Sequence, residues 1–125
     1  MVLADGCFDP LHWGHIRYLS ACAVFGELTV RVESDADVLK KGRFLFQTRE
    51  ERLKTIGSLR CVSAVLMEDM PLSAAVRELV PEYLIKGVDW RGKLPADVVE
   101  ACEDTGTQIM YVETQEKSSS ERLQA

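Results

Sequence analysis

The sequence predicts an α/β domain, a small doubly wound parallel sheet of five strands. Three observations carry that expectation. Apolar runs of strand length alternate along the chain with segments whose apolar residues fall at helical spacing. Glycine or proline marks most of the boundaries between them. The chain has 125 residues, 46% of them apolar, enough for one core and no second module, so residues 1–125 read as one domain. Strands separated by helices of about ten residues pair in parallel through right-handed crossovers.

The first apolar run, residues 1–5, ends at Gly6 and reads as a buried strand. Over residues 13–25, Ile16, Leu19, Ala23 and Val24 form a helical stripe, and Gly26 stops it. Leu28, Val30 and Val32 then alternate with Thr29, Arg31 and Glu33. A strand with one polar face is expected at a sheet edge or a subunit contact. Residues 34–47 read as a charged loop. Thr48 with Glu51 forms a capping box for a helix that buries Leu53, Ile56 and Leu59. Residues 61–67 read as a third strand. Pro71 opens a helix carrying Leu72, Ala75, Val76 and Leu79, which Pro81 stops. A short strand over residues 83–86 ends at Gly87. A helix over residues 96–105 is closed by Gly106, and a last strand covers residues 107–112. A serine caps a final short helix over residues 118–124.

Charge and composition exclude several classes. With 15 Lys and Arg against 20 Asp and Glu, the net charge is -5, which argues against a nonspecific nucleic-acid or anionic-membrane binder. No apolar run approaches the roughly 20 residues that span a bilayer, and the first residues lack a signal-peptide pattern. The expectation is a soluble, cytoplasmic domain. Cys7, Cys22, Cys61 and Cys102 are dispersed, without a C-x-x-C pair that would suggest zinc, and no metal site is expected. Cys7 alone falls in a glycine-marked loop, where it lends its backbone to a ligand.

In open parallel sheets, ligands bind beyond the carboxyl ends of the strands. There lies the stretch Gly6-Cys7-Phe8-Asp9-Pro10-Leu11-His12-Trp13-Gly14-His15, which holds both histidines of the chain. A helix N-terminus attracts phosphate through its unpaired N–H groups. His12 and His15 would add two donors there, and Gly14 lets the backbone come close. On spacing alone, capping or core histidines fit equally well.

The pattern G-x-F-D-x-x-H-x-G-H after a first strand resembles the signature of the cytidylyltransferase-like nucleotidyltransferase superfamily, whose domains have a Rossmann-like, HUP-type fold. The resemblance runs from the first strand to the serines near residue 120. It implies in-line attack by an acceptor phosphate on the α-phosphorus of a nucleoside triphosphate, with pyrophosphate leaving and magnesium carried by the triphosphate. It implies catalytic roles for His12, His15 and Lys41. Nucleotide binding falls to Gly6, Cys7, Phe8, Asp9 and Gly14, to Lys86, Gly87 and Asp89, and to Ser118, Ser119 and Ser120. Lys40, Arg43, Arg52 and Arg60 would hold phosphate or acceptor; a one-residue slip exchanges Lys40 for Lys41. A homodimer is implied by the same relatives.

Two subfamilies compete for the substrate. The segments Lys86-Gly87-Val88-Asp89-Trp90 and Glu68-Asp69-Met70-Pro71 resemble the adenylyltransferase domain of bacterial ADP-heptose synthases. His12-Trp13-Gly14-His15 and Asp89-Trp90-Arg91-Gly92-Lys93 resemble CTP:glycerol-3-phosphate cytidylyltransferases. The latter have an acid where Val88 stands and an arginine where Glu113 stands. Glu116 and Lys117 also depart from their pattern. An apolar residue does not accept from a cytosine amino group, so ATP and a sugar phosphate such as heptose 1-phosphate are favoured. The altered stretch from Glu113 to Lys117 also admits a nucleotide-binding module without catalysis.

Overall fold

The structure is a computed structural model and describes residues 1–113. The five strands are β1 (Val2–Gly6), β2 (Leu28–Val32), β3 (Ala64–Val65), β4 (Tyr83–Gly87) and β5 (Gln108–Val112). Their order in the sheet is β3-β2-β1-β4-β5 and every pairing is parallel. The chain therefore winds outward one way from β1, returns, and winds outward the other way. The order reverses between β1 and β4.

Helices α1 (Trp13–Ala23), α3 (Arg49–Gly57), α4 (Leu72–Leu79) and α5 (Ala96–Thr105) cover the two faces. Strand alternation decides which face each apolar residue joins. Val2, Ala4, Leu28, Val30, Val32 and Ile85 bury against Leu19 and Cys22 of α1 and against Leu53 and Ile56 of α3. Leu3 and Leu84, one residue out of step, meet Ala75 and Val76 of α4 and Val98, Ala101 and Cys102 of α5. A central strand buried on both faces needs such a continuous apolar run, and Val2-Leu3-Ala4 supplies it.

Helix ends follow local chemistry. Thr48 accepts from the Glu51 N–H at 3.2 Å, as the capping box requires. Helix α5 closes at Gly106, whose φ of +78° suits glycine. Val80 closes α4 in the same left-handed region at φ 45°, a strained place for a β-branched residue.

Three expectations need correction. Strand β2 is not an edge; it lies between β1 and β3. Its polar face exists because Arg31, only 6% exposed, is neutralised inside the fold. The charged loop contains a further helix, α2 (Asp35–Lys40), capped by Ser34, which accepts from the Asp37 N–H at 3.0 Å. Asp35 and Asp37 at its start and Lys40 at its end match the helix dipole, so the charge run is itself the helix signal. Strand β3 keeps only Ala64 and Val65, because the carbonyls of Leu66, Met67 and Glu68 turn to the Arg49 guanidinium at 2.8–3.0 Å. The serines Ser118, Ser119 and Ser120 lie outside the described residues.

Candidate functional site

The reversal of strand order between β1 and β4 opens a crevice beyond their carboxyl ends. The loop leaving β1 is folded tightly there. Phe8 takes a left-handed backbone, φ 55°, and turns its ring back over Gly6. A Cβ on Gly6 would sit 2.7 Å from the Phe8 ring, so this approach requires glycine. The same ring meets the edge of His15, with centroids 5.2 Å apart.

His12 caps α1 through its side chain. Its Nδ1 accepts from the Gly14 N–H at 3.1 Å, and the Nδ1 of His15 accepts from the His12 N–H at 3.2 Å. The two rings stack at 3.8 Å. A ring nitrogen that accepts a hydrogen bond carries no proton, so each neutral imidazole holds its proton on Nε2. Capping and ligand binding are thus compatible: one nitrogen of each ring shapes the helix end and the other is a donor. Two such donors lie side by side at the mouth of a helix.

Asp9 is fully buried. Its carboxylate accepts from the backbone N–H groups of Phe46 at 2.8 Å and Gln47 at 3.1 Å, and its carbonyl accepts from Arg43 at 2.7 Å. Asp9 therefore clamps the loop after α2 onto the loop after β1. Arg43 is held at this seam, and its Nε is buried without a hydrogen-bond partner among the described residues. Lys41 reaches Glu33 at 2.7 Å with about half its side chain exposed, and Lys40 is exposed in the last turn of α2.

The two remaining arginines lie elsewhere than the resemblance implies. Arg52 is wholly buried and spends its guanidinium on the chain: on Asp35 at 2.6 Å, the Cys7 carbonyl at 2.9 Å and the Gln47 carbonyl at 3.1 Å. It braces the two loops from behind and does not reach a phosphate. Arg60 is exposed in the turn before β3. In a parallel sheet that turn belongs to the amino ends of the strands, opposite the crevice.

Cys7 is half-buried, and burial pushes its thiol above the ordinary value, Arg43 opposing and Glu33 adding to the rise. It stays protonated and contributes its carbonyl, through Arg52. Cys22, deeper in the core, is pushed up to about 12 by burial.

Beyond β4, Gly87 leads into a single turn, Val88–Trp90. A Cβ at Gly87 would lie 2.7 Å from the Asp89 carboxylate, which folds back over it. Lys86 is only 4% exposed: its ammonium binds Asp5 at 3.0 Å and lies 4.3 Å from the centre of the Trp90 ring. Asp5 binds Arg31 through its other oxygen at 2.7 Å. The contacts of Asp5, Arg31, Asp35 and Arg49 were not legible, since their partners are remote in sequence. The nearest signal was a carboxylate ending the apolar first run and an arginine on the polar face of β2.

Burial alone would raise the Asp5 carboxyl, but Lys86 and Arg31 outweigh it and hold it below the ordinary 3.8. A carboxylate lowered by folding stabilises the protein above its unfolded value, and that contribution is lost as pH falls through the folded one. Wild type is therefore expected to lose stability relative to Asp5→Asn as pH falls below about 4. Urea unfolding of both proteins from pH 7 to pH 3 measures it, and a difference independent of pH would contradict the assignment.

Among the described residues, no three His, Cys, Asp or Glu side chains converge as a metal cage. No described helix is long and apolar enough to cross a membrane.

The doubly wound parallel sheet thus carries the paired imidazoles of His12 and His15 at its switch point. The chain belongs to the cytidylyltransferase-like family, whose model matches residues 3–123. It is 37% identical over 130 residues to the bifunctional protein HldE of Gluconobacter oxydans, covering 98% of this chain and 26% of that protein. To HldE of Geobacter sulfurreducens it is 37% identical over 108 residues, 81% of this chain and 22% of that one. The chain thus spans about a quarter of the length of these relatives. Among solved structures, the lipopolysaccharide core biosynthesis protein of Thermoplasma volcanium superposes with a TM-score of 0.74 at 29% identity, covering 94% of this chain and 97% of that one. A protein of unknown function from Archaeoglobus fulgidus shares the fold, with a TM-score of 0.70 at 18% identity.

Proposed function

We propose that this domain moves AMP from ATP to the phosphate of a sugar phosphate, such as heptose 1-phosphate, and releases pyrophosphate. The stacked His12 and His15 pair carries the reading, because each Nδ1 accepts a main-chain N–H and so sets the orientation and tautomer of two imidazoles at a helix N-terminus. An acceptor phosphate oxygen attacks the α-phosphorus. The bond from the α-phosphorus to the oxygen bridging it to the β-phosphorus breaks, and its electron pair leaves on pyrophosphate. Charge grows on the α- and β-phosphate oxygens, where the two imidazoles donate.

Arg43, with its buried Nε, and Lys41 or Lys40 stand at the end of α2 and on the loop after it as cations for the leaving pyrophosphate or the acceptor. Magnesium enters with the triphosphate as part of the substrate and neutralises phosphate charge. No protein nucleophile is required, which agrees with a protonated Cys7. The working unit is proposed to be a cytoplasmic homodimer, as the family resemblance implies; strand β2, being internal, is not its contact.

Adenine over cytosine is supported by Val88, partly exposed in the turn after β4, which offers no acceptor to a cytosine amino group. A sugar-phosphate acceptor is supported by the likeness to HldE and to a lipopolysaccharide core biosynthesis protein. The test is pyrophosphate release with ATP or CTP crossed against heptose 1-phosphate and glycerol 3-phosphate. Turnover is expected with ATP and the heptose. Turnover only with CTP and glycerol 3-phosphate would replace this reading, and tight nucleotide binding without release for any acceptor would make the domain a binding module.

A further inference from the structure

On the face of the sheet that carries α4 and α5, three charges cross neighbouring strands in a row. Asp5 on β1 stands opposite Arg31 on β2 in the register. On the other side Ala4 pairs with Ile85, so the next residues, Asp5 and Lys86, are neighbours too. The row is a carboxylate between two cations, with side-chain exposures of 11% for Asp5, 7% for Arg31 and 5% for Lys86. Burying three charges is costly, and such groups persist where their geometry is closely satisfied. Here it is. Each Asp5 oxygen has its own cation, at 2.7 Å and 3.0 Å, and the Arg31 Nε is tied to the Met70 carbonyl at 2.8 Å.

The far end of the row is the Trp90 ring, lying on the Lys86 ammonium at 4.3 Å. Trp90 stands beyond the carboxyl end of β4, beside the crevice, and is 37% exposed. A second cation and ring, Arg91 and Tyr111, continue the layer toward β5 at 5.1 Å. We propose that Arg31, Asp5 and Lys86 act as one unit that fixes the Trp90 indole as a wall of the nucleoside subsite. Lys86 is then a positioning residue, and its effect falls on nucleotide affinity rather than on transfer chemistry. The proposal rests on the reading of this domain as a nucleotidyl transferase, although the position of Trp90 is measurable without turnover.

The choice of variant follows from charge. Removing Asp5 strands two cations, whereas removing either cation leaves a balanced pair. The experiment uses the 125-residue chain with Trp13→Phe, which makes Trp90 the sole tryptophan. Lys86→Met is expected to increase acrylamide quenching of Trp90 and to raise the ATP KM about tenfold, with a smaller change in kcat. Lys86→Arg, which keeps the cation, restores both. Arg31→Met, two strands over from Lys86, gives the same signature at smaller size and serves where Lys86→Met does not fold. Unchanged quenching in both methionine variants overturns the proposal. So does a fall in kcat at constant KM, which would place Lys86 on the reacting phosphates. If wild type turns over no nucleotide, the functional reading fails while the quenching comparison still decides the position of Trp90.

Discussion

Replacing His15 with alanine is expected to lower turnover by about 10²-fold or more, the cost of losing a donor aimed at charge that develops in the transition state. The structure sharpens the experiment. His15 also accepts from the His12 N–H at 3.2 Å, so alanine removes a helix cap as well. That part should cost about 1 kcal/mol of stability and leave the fold intact. His15→Gln separates the two effects. A glutamine carbonyl at this position also accepts from the cap N–H, as in an ordinary capping box, but offers no imidazole Nε2–H. Its unfolding midpoint should stay near wild type while kcat falls as in the alanine variant. Wild-type kcat in either protein would take His15 out of the mechanism.

Arg52→Ala is expected to destabilise the domain by about 3 kcal/mol, a value at the lower end for breaking a buried ion pair. The lower end applies because Asp35 is 39% exposed and also accepts from the Arg49 N–H at 2.7 Å. The Cys7 and Gln47 carbonyls lose their donor in the same step. Arg52→Lys should recover little, since one ammonium does not span three acceptors arranged for a planar fork. Urea unfolding measures the loss. An exposed phosphate ligand would behave the opposite way, with activity lost and stability kept, so the pair of measurements tests the burial of Arg52 directly.

Arg52 shows why a motif read along the chain stops short. Its position relative to the helix start was legible, and so was its charge. Whether it points into the crevice or behind it depends on Asp35 and Cys7, which lie 17 and 45 residues away. The row of Asp5, Arg31 and Lys86 was illegible for the same reason, as Asp5 and Lys86 are 81 residues apart. Strand alternation did register that β2 has a polar face, but an exposed face and an internally neutralised one look alike in one sequence.

What was legible rests on local physics. Period and punctuation located the strands and most helices, because amphipathic spacing, Thr48, Pro71 and Gly106 act within a few residues of themselves. The histidine loop was legible because Gly6, Phe8, His12, Gly14 and His15 contact one another within ten residues. Helix α2 was passed over since its few apolar residues bury little; only Val38 among them is buried.

The Asp9 clamp has a consequence for which residues of the loop after α2 are free to vary. Asp9 grips Phe46 and Gln47 by their main-chain N–H groups, and the side chains take no part in the grip. Phe44 is 81% exposed and Phe46 55%. The loop is therefore moored independently of what it displays. Its outward residues can vary without loosening that anchorage, so what the loop displays is separate from how it is held.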